Sequence, residues 1–140
     1  MKTTITNRAR LLLLVGFGAL TLMACTPEEQ VLWDLFVEKH ESELQIIADR
    51  TAGGPSDAQL ARLRNCESHG IYTAVSSSGR YRGAYQFSQS TWNSTAGGFL
   101  DAYVSIDPAK AAPHIQDAMA RLLWKHSGTS PWPHCGPKAR

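Results

Sequence analysis

The feature that most constrains the fold is a pair of cysteines, Cys66 and Cys135, which bracket most of the C-terminal half of the chain. The chain begins with a segment typical of export, and exported proteins enter oxidising compartments in which paired cysteines form disulfides. We therefore predict a Cys66–Cys135 disulfide, which would stabilise the fold by ~4 kcal/mol in the chain-entropy description. A metal site is the weaker alternative, because neither cysteine has ligand-like spacing with His69 or His134.

Residues 1–24 have the organisation of a signal peptide. Three basic residues precede the apolar run Leu11–Leu22, which is too short for a transmembrane helix. The run ends in Leu22-Met23-Ala24-Cys25, which resembles a lipobox, the motif whose cysteine is lipid-modified and becomes the new N-terminus. We predict that lipidated Cys25 anchors the protein to the outer face of the cytoplasmic membrane. A conventional signal, with Cys25 free and the protein secreted, is the alternative.

The charge of the remaining chain is unevenly divided. Residues 25–54 carry a net charge of −5, whereas residues 55–140 carry +4. A mildly basic domain suits an anionic polymer surface. Nucleic acid is a poor candidate partner, because the basic residues are dispersed, no nucleic-acid-binding motif occurs, and export is predicted.

Residues 25–54 are predicted to be a tether and an acidic helical spacer. The helix covers Glu28–Arg50, and the linker Thr51–Pro55 follows it. One stripe at helical spacing consists of Trp33, Val37, His40, Leu44 and Ile47. We expect the helix to pack against a neighbour or itself, while a position near the membrane is the alternative that its acidity disfavours.

Residues 55–140 are predicted to form one small domain of the α+β class, mainly helical. Ser56 is a suitable N-cap for a short helix that reaches Cys66 and is ended by His69-Gly70. Residues 72–89 favour a small irregular hairpin, and residues 90–95 a further helical turn. Pro113 opens a helix to His126. The apolar stripe of this last helix, predicted to be core, consists of Ile115, Ala118, Met119, Leu122 and Leu123.

One carboxylate stands apart in this domain. Glu67 directly follows Cys66, and the next acidic residue is Asp101. The intervening stretch is rich in glycine, tyrosine and hydroxyl side chains. A carboxylate in such a polar and aromatic groove is suited to general acid catalysis of glycoside cleavage.

The segment Tyr81–Trp92 offers the groups that a carbohydrate groove needs, which are aromatic faces beside amides and hydroxyls. Gly83 and Ala84 would let the backbone approach a ligand closely. Phe87 is predicted to be core, and Trp92 fits the core and the groove equally well. The predicted substrate-binding residues are Tyr81, Tyr85, Gln86, Thr91 and Trp92.

Three motifs together resemble the transglycosylase-like domain of bacterial resuscitation-promoting factors. They are Cys66-Glu67-Ser68, Tyr81–Trp92 and Ser130–Cys135, and the resemblance covers Leu60–Cys135 nearly end to end. It implies a small lysozyme-like fold with a short β element, and activity on cell-wall peptidoglycan without a cofactor or metal. It also implies Glu67 as the catalytic acid, the Cys66–Cys135 disulfide, and Tyr81, Gln86 and Thr91 in the groove with Trp92 close by.

His69 departs from that family pattern, which often has glycine there. We expect an exposed histidine at the end of a helix. The alternative is an imidazole that tunes the pKa of Glu67.

The isolation of Glu67 also constrains the mechanism. Two-carboxylate glycosidases place a second acid roughly 5–10 Å away, and here only Asp101, Asp107 and Asp117 follow in the domain, all outside the groove-like segment. We expect Glu67, kept protonated by a partly apolar groove, to donate to the oxygen between N-acetylmuramic acid and N-acetylglucosamine. It would then act as base, either for the muramic 6-hydroxyl, giving a 1,6-anhydro product, or for water, as in lysozyme.

Two other classes of function stay open. The domain could be a non-catalytic peptidoglycan-binding module of an envelope lipoprotein, although a binder needs no acid at this position. The protein could also be a structural or partner-binding envelope protein with the helix Glu28–Arg50 as its working surface.

Overall fold

The structure is a computed structural model and describes residues 26–140. The predicted signal peptide and the predicted lipidation site Cys25 lie outside these residues. Five α-helices and two short 3₁₀ turns form the described chain. The helices are α1 (Pro27–Thr51), α2 (Asp57–Ser68), α3 (Gln89–Ala96), α4 (Pro113–Ser127) and α5 (Gly136–Ala139), and the turns are Asp101–Tyr103 and Pro108–Lys110.

Local sequence signals fix the ends of these helices. The Ser56 side chain accepts from the backbone N–H of Gln59, whose side chain accepts from the Ser56 N–H, so the predicted N-cap is confirmed as a full capping box. His69 ends α2 in the left-handed conformation, with φ of 56°. Pro113 opens α4, and Gly128 caps its end, within one residue of the predicted bounds.

The predicted hairpin within residues 72–89 is reduced to two isolated bridges, Val75 to Arg82 and Arg82 to Phe87. The backbone turns at Gly79, Gly83 and Gln86, which all have positive φ, so the chain reverses too often for a ladder to extend. Residues 26–140 therefore contain no strand longer than a single bridge, and the expected short β element is not present as a sheet. The described chain is mainly helical.

The hydrophobic core lies between α2, α3 and α4. The aromatic rings of Phe87 and Trp92 meet edge to face, as do those of Phe87 and Trp132. The indole N–H of Trp92 donates to the Tyr103 carbonyl at 2.9 Å, so a fully buried tryptophan also has its polar group satisfied. The predicted stripe of α4 is buried except for Leu123, which is only partly covered.

The predicted disulfide joins Cys66 at the end of α2 to Cys135 at the start of α5, with 5.7 Å between their Cα atoms. It therefore fixes the C-terminal end of the chain against the helix that carries Glu67.

The helix α1 packs against α4 through its C-terminal half. Ile47 packs against the core, Glu43 accepts from the Tyr103 hydroxyl, and the Lys125 ammonium donates to the Arg50 carbonyl at 3.1 Å. In contrast, the N-terminal half leaves its apolar side chains in solvent, with Leu32 67% and Trp33 61% exposed. No helix within residues 26–140 is both long enough and apolar enough to cross a membrane.

Candidate active site

Glu67 lies in the last turn of α2 and lines an open cleft of about 410 Å³. The cleft is lined by Glu67, Tyr81, Gln86, Pro131, Trp132, Pro133 and His134. Burial raises the pKa of the Glu67 carboxyl above its ordinary value, because desolvation disfavours the charged form, and the charge of His134 acts in the opposite direction. A carboxyl group that holds its proton more tightly than usual is suited to act as a general acid.

Three segments of the chain are fixed to one another around this cleft. The hydroxyl of Ser68, the residue after Glu67, donates to the Ala84 carbonyl at 2.8 Å. The indole N–H of Trp132 donates to the Tyr85 carbonyl at 2.9 Å. The end of α2 and the 131–134 loop are thus both bonded to the same stretch of backbone, in addition to the disulfide.

Below the cleft, a network of polar side chains supports α2. One carboxylate oxygen of Asp117, on α4, accepts from the hydroxyls of Tyr85 at 2.7 Å and Tyr72 at 2.8 Å, and from the Arg64 guanidinium at 3.2 Å. Arg64 also donates to the Tyr85 hydroxyl at 3.0 Å. Burial and the bond to Asp117 raise the pKa of Tyr72 to about 12 and raise that of Tyr85 further, so both phenols remain protonated donors.

Gly83 marks a close approach of the backbone to Gln116. A Cβ atom at Gly83, where φ is 78°, would lie 2.5 Å from the Gln116 side-chain oxygen, and the same oxygen accepts from the Ala84 N–H at 2.8 Å. The small residues at 83 and 84 therefore allow packing against α4. The expectation that they let the backbone approach a ligand is corrected accordingly.

Comparison with known proteins is consistent with this site. Residues 54–135, more than half of the chain, match the transglycosylase-like domain. The chain belongs to the transglycosylase-like domain family. The resemblance predicted from the three motifs is thus confirmed at the level of the domain.

Several curated proteins are similar to about half of this chain. A probable transglycosylase SceD of Staphylococcus haemolyticus is 40% identical over 76 residues, which is 54% of this chain and 31% of that protein. Probable transglycosylases SceD 3 of Staphylococcus saprophyticus and SceD of Staphylococcus aureus strain Newman are each 37% identical over 76 residues, 54% of this chain and 31% and 32% of theirs. The chain spans about a third of the length of these curated relatives.

Within this transglycosylase-like domain, the structure brings together some of the predicted site residues. Tyr81 and Gln86 line the cleft with Glu67. The side-chain amide of Gln86 donates to the Gly83 carbonyl at 2.9 Å, and this bond helps to hold a residue whose φ is 51°. Tyr81 is exposed, and the Arg80 guanidinium lies over one face of its ring.

Other predicted groove residues lie elsewhere. Tyr85 and Trp92 have no exposed surface, so their assignment as substrate contacts is corrected: both are core residues, and Tyr85 belongs to the Asp117 network. Thr91, at the start of α3, bonds Ser88 at 2.8 Å and lines a different cavity of about 370 Å³ between α3 and α4. Amphipathic aromatic residues fit a groove and a core equally well, which is why the sequence did not separate them.

The remaining carboxylates of the domain have partners of their own. Asp107 forms a two-point ion pair with Arg82 at 2.6 and 2.7 Å, and this bond lowers the pKa of Asp107. Asp101 accepts from the Gly98 N–H, and Asp117 belongs to the network described above. Of the carboxylates in residues 26–140, only Glu67 lines this cleft.

The sequence did not predict the wall formed by Pro131, Trp132, Pro133 and His134 as part of the site. The signal was present, because this run directly precedes Cys135, the disulfide partner of the residue before Glu67. His69 is exposed at the helix end, as expected, and does not line the cleft. Within the described chain, no three or more His, Cys, Asp and Glu side chains are grouped as metal ligands.

Proposed function

We propose that this protein cleaves peptidoglycan at the bond between N-acetylmuramic acid and N-acetylglucosamine, with Glu67 as its single catalytic acid. The observation that supports this most strongly is one partly desolvated carboxyl group in an open cleft that no second carboxylate of the described chain lines. Membership of the transglycosylase-like domain family supports the class of reaction.

The first step would be donation of the Glu67 proton to the glycosidic oxygen as the bond from that oxygen to C1 of muramic acid breaks. Apart from Glu67, no carboxylate of residues 26–140 lines the cleft to stabilise the cationic centre left at C1. We infer that the acetamido group of the sugar itself stabilises this centre. Tyr81 offers an aromatic face and Gln86 an amide with which the cleft would hold the sugar in position.

In the second step, the Glu67 carboxylate would act as base. It would take the proton of the muramic 6-hydroxyl while that oxygen attacks C1, which gives a 1,6-anhydro product and restores the protonated acid. Attack by water would give a reducing end, as in a lysozyme. A single carboxylate favours the intramolecular route, because the 6-hydroxyl is already attached to the reacting sugar.

We further propose that the protein acts at the cell envelope. The motifs around Cys66 and Cys135 resemble those of the resuscitation-promoting factor family, and the lipobox-like Cys25 would anchor the domain to the outer face of the cytoplasmic membrane. The glycan strands of peptidoglycan are then the substrate within reach of the anchored domain.

Mass spectrometry of the products tests this proposal. Purified protein lacking the signal peptide is incubated with insoluble peptidoglycan, and the soluble muropeptides are identified. We expect 1,6-anhydro-muramic ends. Abundant reducing ends without anhydro-sugar would show that the protein is a hydrolase and not a transglycosylase. Retention of the protein on the insoluble glycan without release of soluble product would identify a binding module.

A further inference from the structure

His134 shares the cleft with Glu67 because of the disulfide. Glu67 directly follows Cys66, and His134 directly precedes Cys135. The Cα atoms of the two cysteines are 5.7 Å apart, and the side chains of Glu67 and His134 line the same cleft. The disulfide thus joins the two segments of the cleft lining that carry the carboxyl group and the imidazole.

The backbone that carries His134 is well fixed. Trp132 is buried, and its indole bonds the Tyr85 carbonyl. Its backbone N–H donates to the Thr129 carbonyl at 3.0 Å, and its carbonyl accepts from the Gly136 N–H at 2.7 Å. Pro131 and Pro133 restrict the backbone further. The imidazole itself is exposed.

Four arginine side chains of the neighbouring segments are hydrogen-bonded to groups other than Glu67. Arg64 bonds Asp117 and Tyr85, and Arg82 bonds Asp107. Arg62 donates to the carbonyl of Ala139, and Arg140 to the Thr129 hydroxyl.

Two more charged groups belong to neighbouring segments. Arg80 lies beside the Tyr81 ring, and Lys138 is exposed on α5. His69 follows Glu67 by two residues but does not line the cleft. Of the histidine, lysine and arginine residues in 26–140, only His134 lines the cleft with Glu67.

We propose that His134 is a second functional group of this cleft, a positioning residue whose charge controls how much of Glu67 carries the catalytic proton. This rests on the proposed role of Glu67 as acid. When the imidazole is protonated, its charge favours the Glu67 carboxylate and opposes the desolvation that favours the acid form.

The charge of His134 should shift the pH dependence of glycan cleavage in a defined direction. Cleavage needs protonated Glu67 and falls on the alkaline side of its optimum as that proton is lost. The positive charge of His134 makes the loss occur at lower pH than it otherwise would. Replacement by neutral glutamine should therefore extend activity to higher pH. At a pH on the alkaline side where the rate of the wild type declines, the variant should retain a fraction of its optimum rate that is roughly twofold or more that of the wild type.

The test compares His134→Gln with His69→Gln, a matched control that removes an exposed imidazole two residues from Glu67 but outside the cleft. The pKa of the Glu67 carboxyl is measured by carbon NMR on glutamate-labelled protein, and kcat/KM is measured against pH. We expect His134→Gln to raise the pKa of Glu67 and to move the alkaline limb upward, and His69→Gln to move neither. An unchanged pKa in folded His134→Gln would overturn the proposal.

A second variant keeps the proposal testable if His134→Gln fails to fold. His134→Asn also removes the charge, so it too should raise the pKa of Glu67, and an unchanged value would equally contradict the proposal. The NMR result does not require catalysis. A raised pKa of Glu67 without any glycan release would uphold the pairing and refute the proposed function, whereas glycan release with an unchanged pKa would refute the pairing alone.

Discussion

The helix α1 and the domain that follows it use similar apolar residues to different effect. No residue of α1 is buried, and its N-terminal half exposes Leu32, Trp33 and Phe36. In the domain, Trp92 and Tyr85 are fully buried. The apolar composition of a segment therefore does not show whether the segment packs into a core. Contacts between residues distant in the sequence show this, and the same contacts hold the segments around the cleft together.

The largest expected effect is the loss of a core tryptophan. Trp92→Ala should lower the free energy of unfolding by about 3–5 kcal/mol, because it leaves a cavity and removes the hydrogen bond from the indole to the Tyr103 carbonyl. Trp33→Ala on α1 is the matched control and should change it by less than about 0.5 kcal/mol. Chemical denaturation followed by near-ultraviolet circular dichroism measures both. Equal effects would remove the distinction between the two regions.

Removal of the disulfide should have an effect of similar size. The double variant Cys66→Ala, Cys135→Ala should lose about 4 kcal/mol, since the bond closes a loop with a sequence separation of 69. Denaturation of the oxidised wild type and of the variant under identical conditions measures the difference. If the midpoint and the slope of the denaturation curve were unchanged, the disulfide would contribute nothing to the stability of the domain.

The polar network below the cleft should make a smaller contribution. Tyr85→Phe removes a hydroxyl that donates to Asp117 and accepts from Arg64, and we expect a loss of about 1–2 kcal/mol. Tyr81→Phe, which removes an exposed hydroxyl, should leave stability within about 0.5 kcal/mol of the wild type. Losses of the same size in both variants would show that the network does not support α2.

The smallest expected effect is a pH-dependent gain in stability. Folded Glu67 has a raised pKa, so the folded state binds a proton that the unfolded chain releases, and stability falls as pH rises from the ordinary value of 4.5 through the folded pKa. Glu67→Gln removes this loss. The variant should therefore be the more stable protein at neutral pH and equal to the wild type in acid, as thermal unfolding at both pH values would show. A variant that is less stable at neutral pH would contradict the raised pKa.

The sequence predicted the helices of the domain well because their signals are local. The capping residue Ser56, the left-handed end at His69 and the stripe of α4 each depend on neighbours within a turn or two. The disulfide was predictable from residue identity and compartment. The hairpin was not, because whether a segment pairs as strands depends on where its turns fall.

The site was predictable in part for a related reason. Glu67 and its neighbour Cys66 are recognisable in the sequence. Whether Tyr85 and Trp92 are buried depends instead on which side of their segment faces α4. His134 enters the cleft only through a link across 69 positions. Position in the folded chain, not residue type, decides between core and cleft for such side chains.

The most direct test of Glu67 as the catalytic acid is the rate of glycan release by the variant Glu67→Gln. Glutamine keeps the size and polarity of the side chain but has no proton to donate. We expect a loss of at least about 100-fold in soluble product from insoluble peptidoglycan, with unchanged folding and unchanged binding to the glycan. A folded variant that releases glycan at a rate within about threefold of the wild type would contradict it.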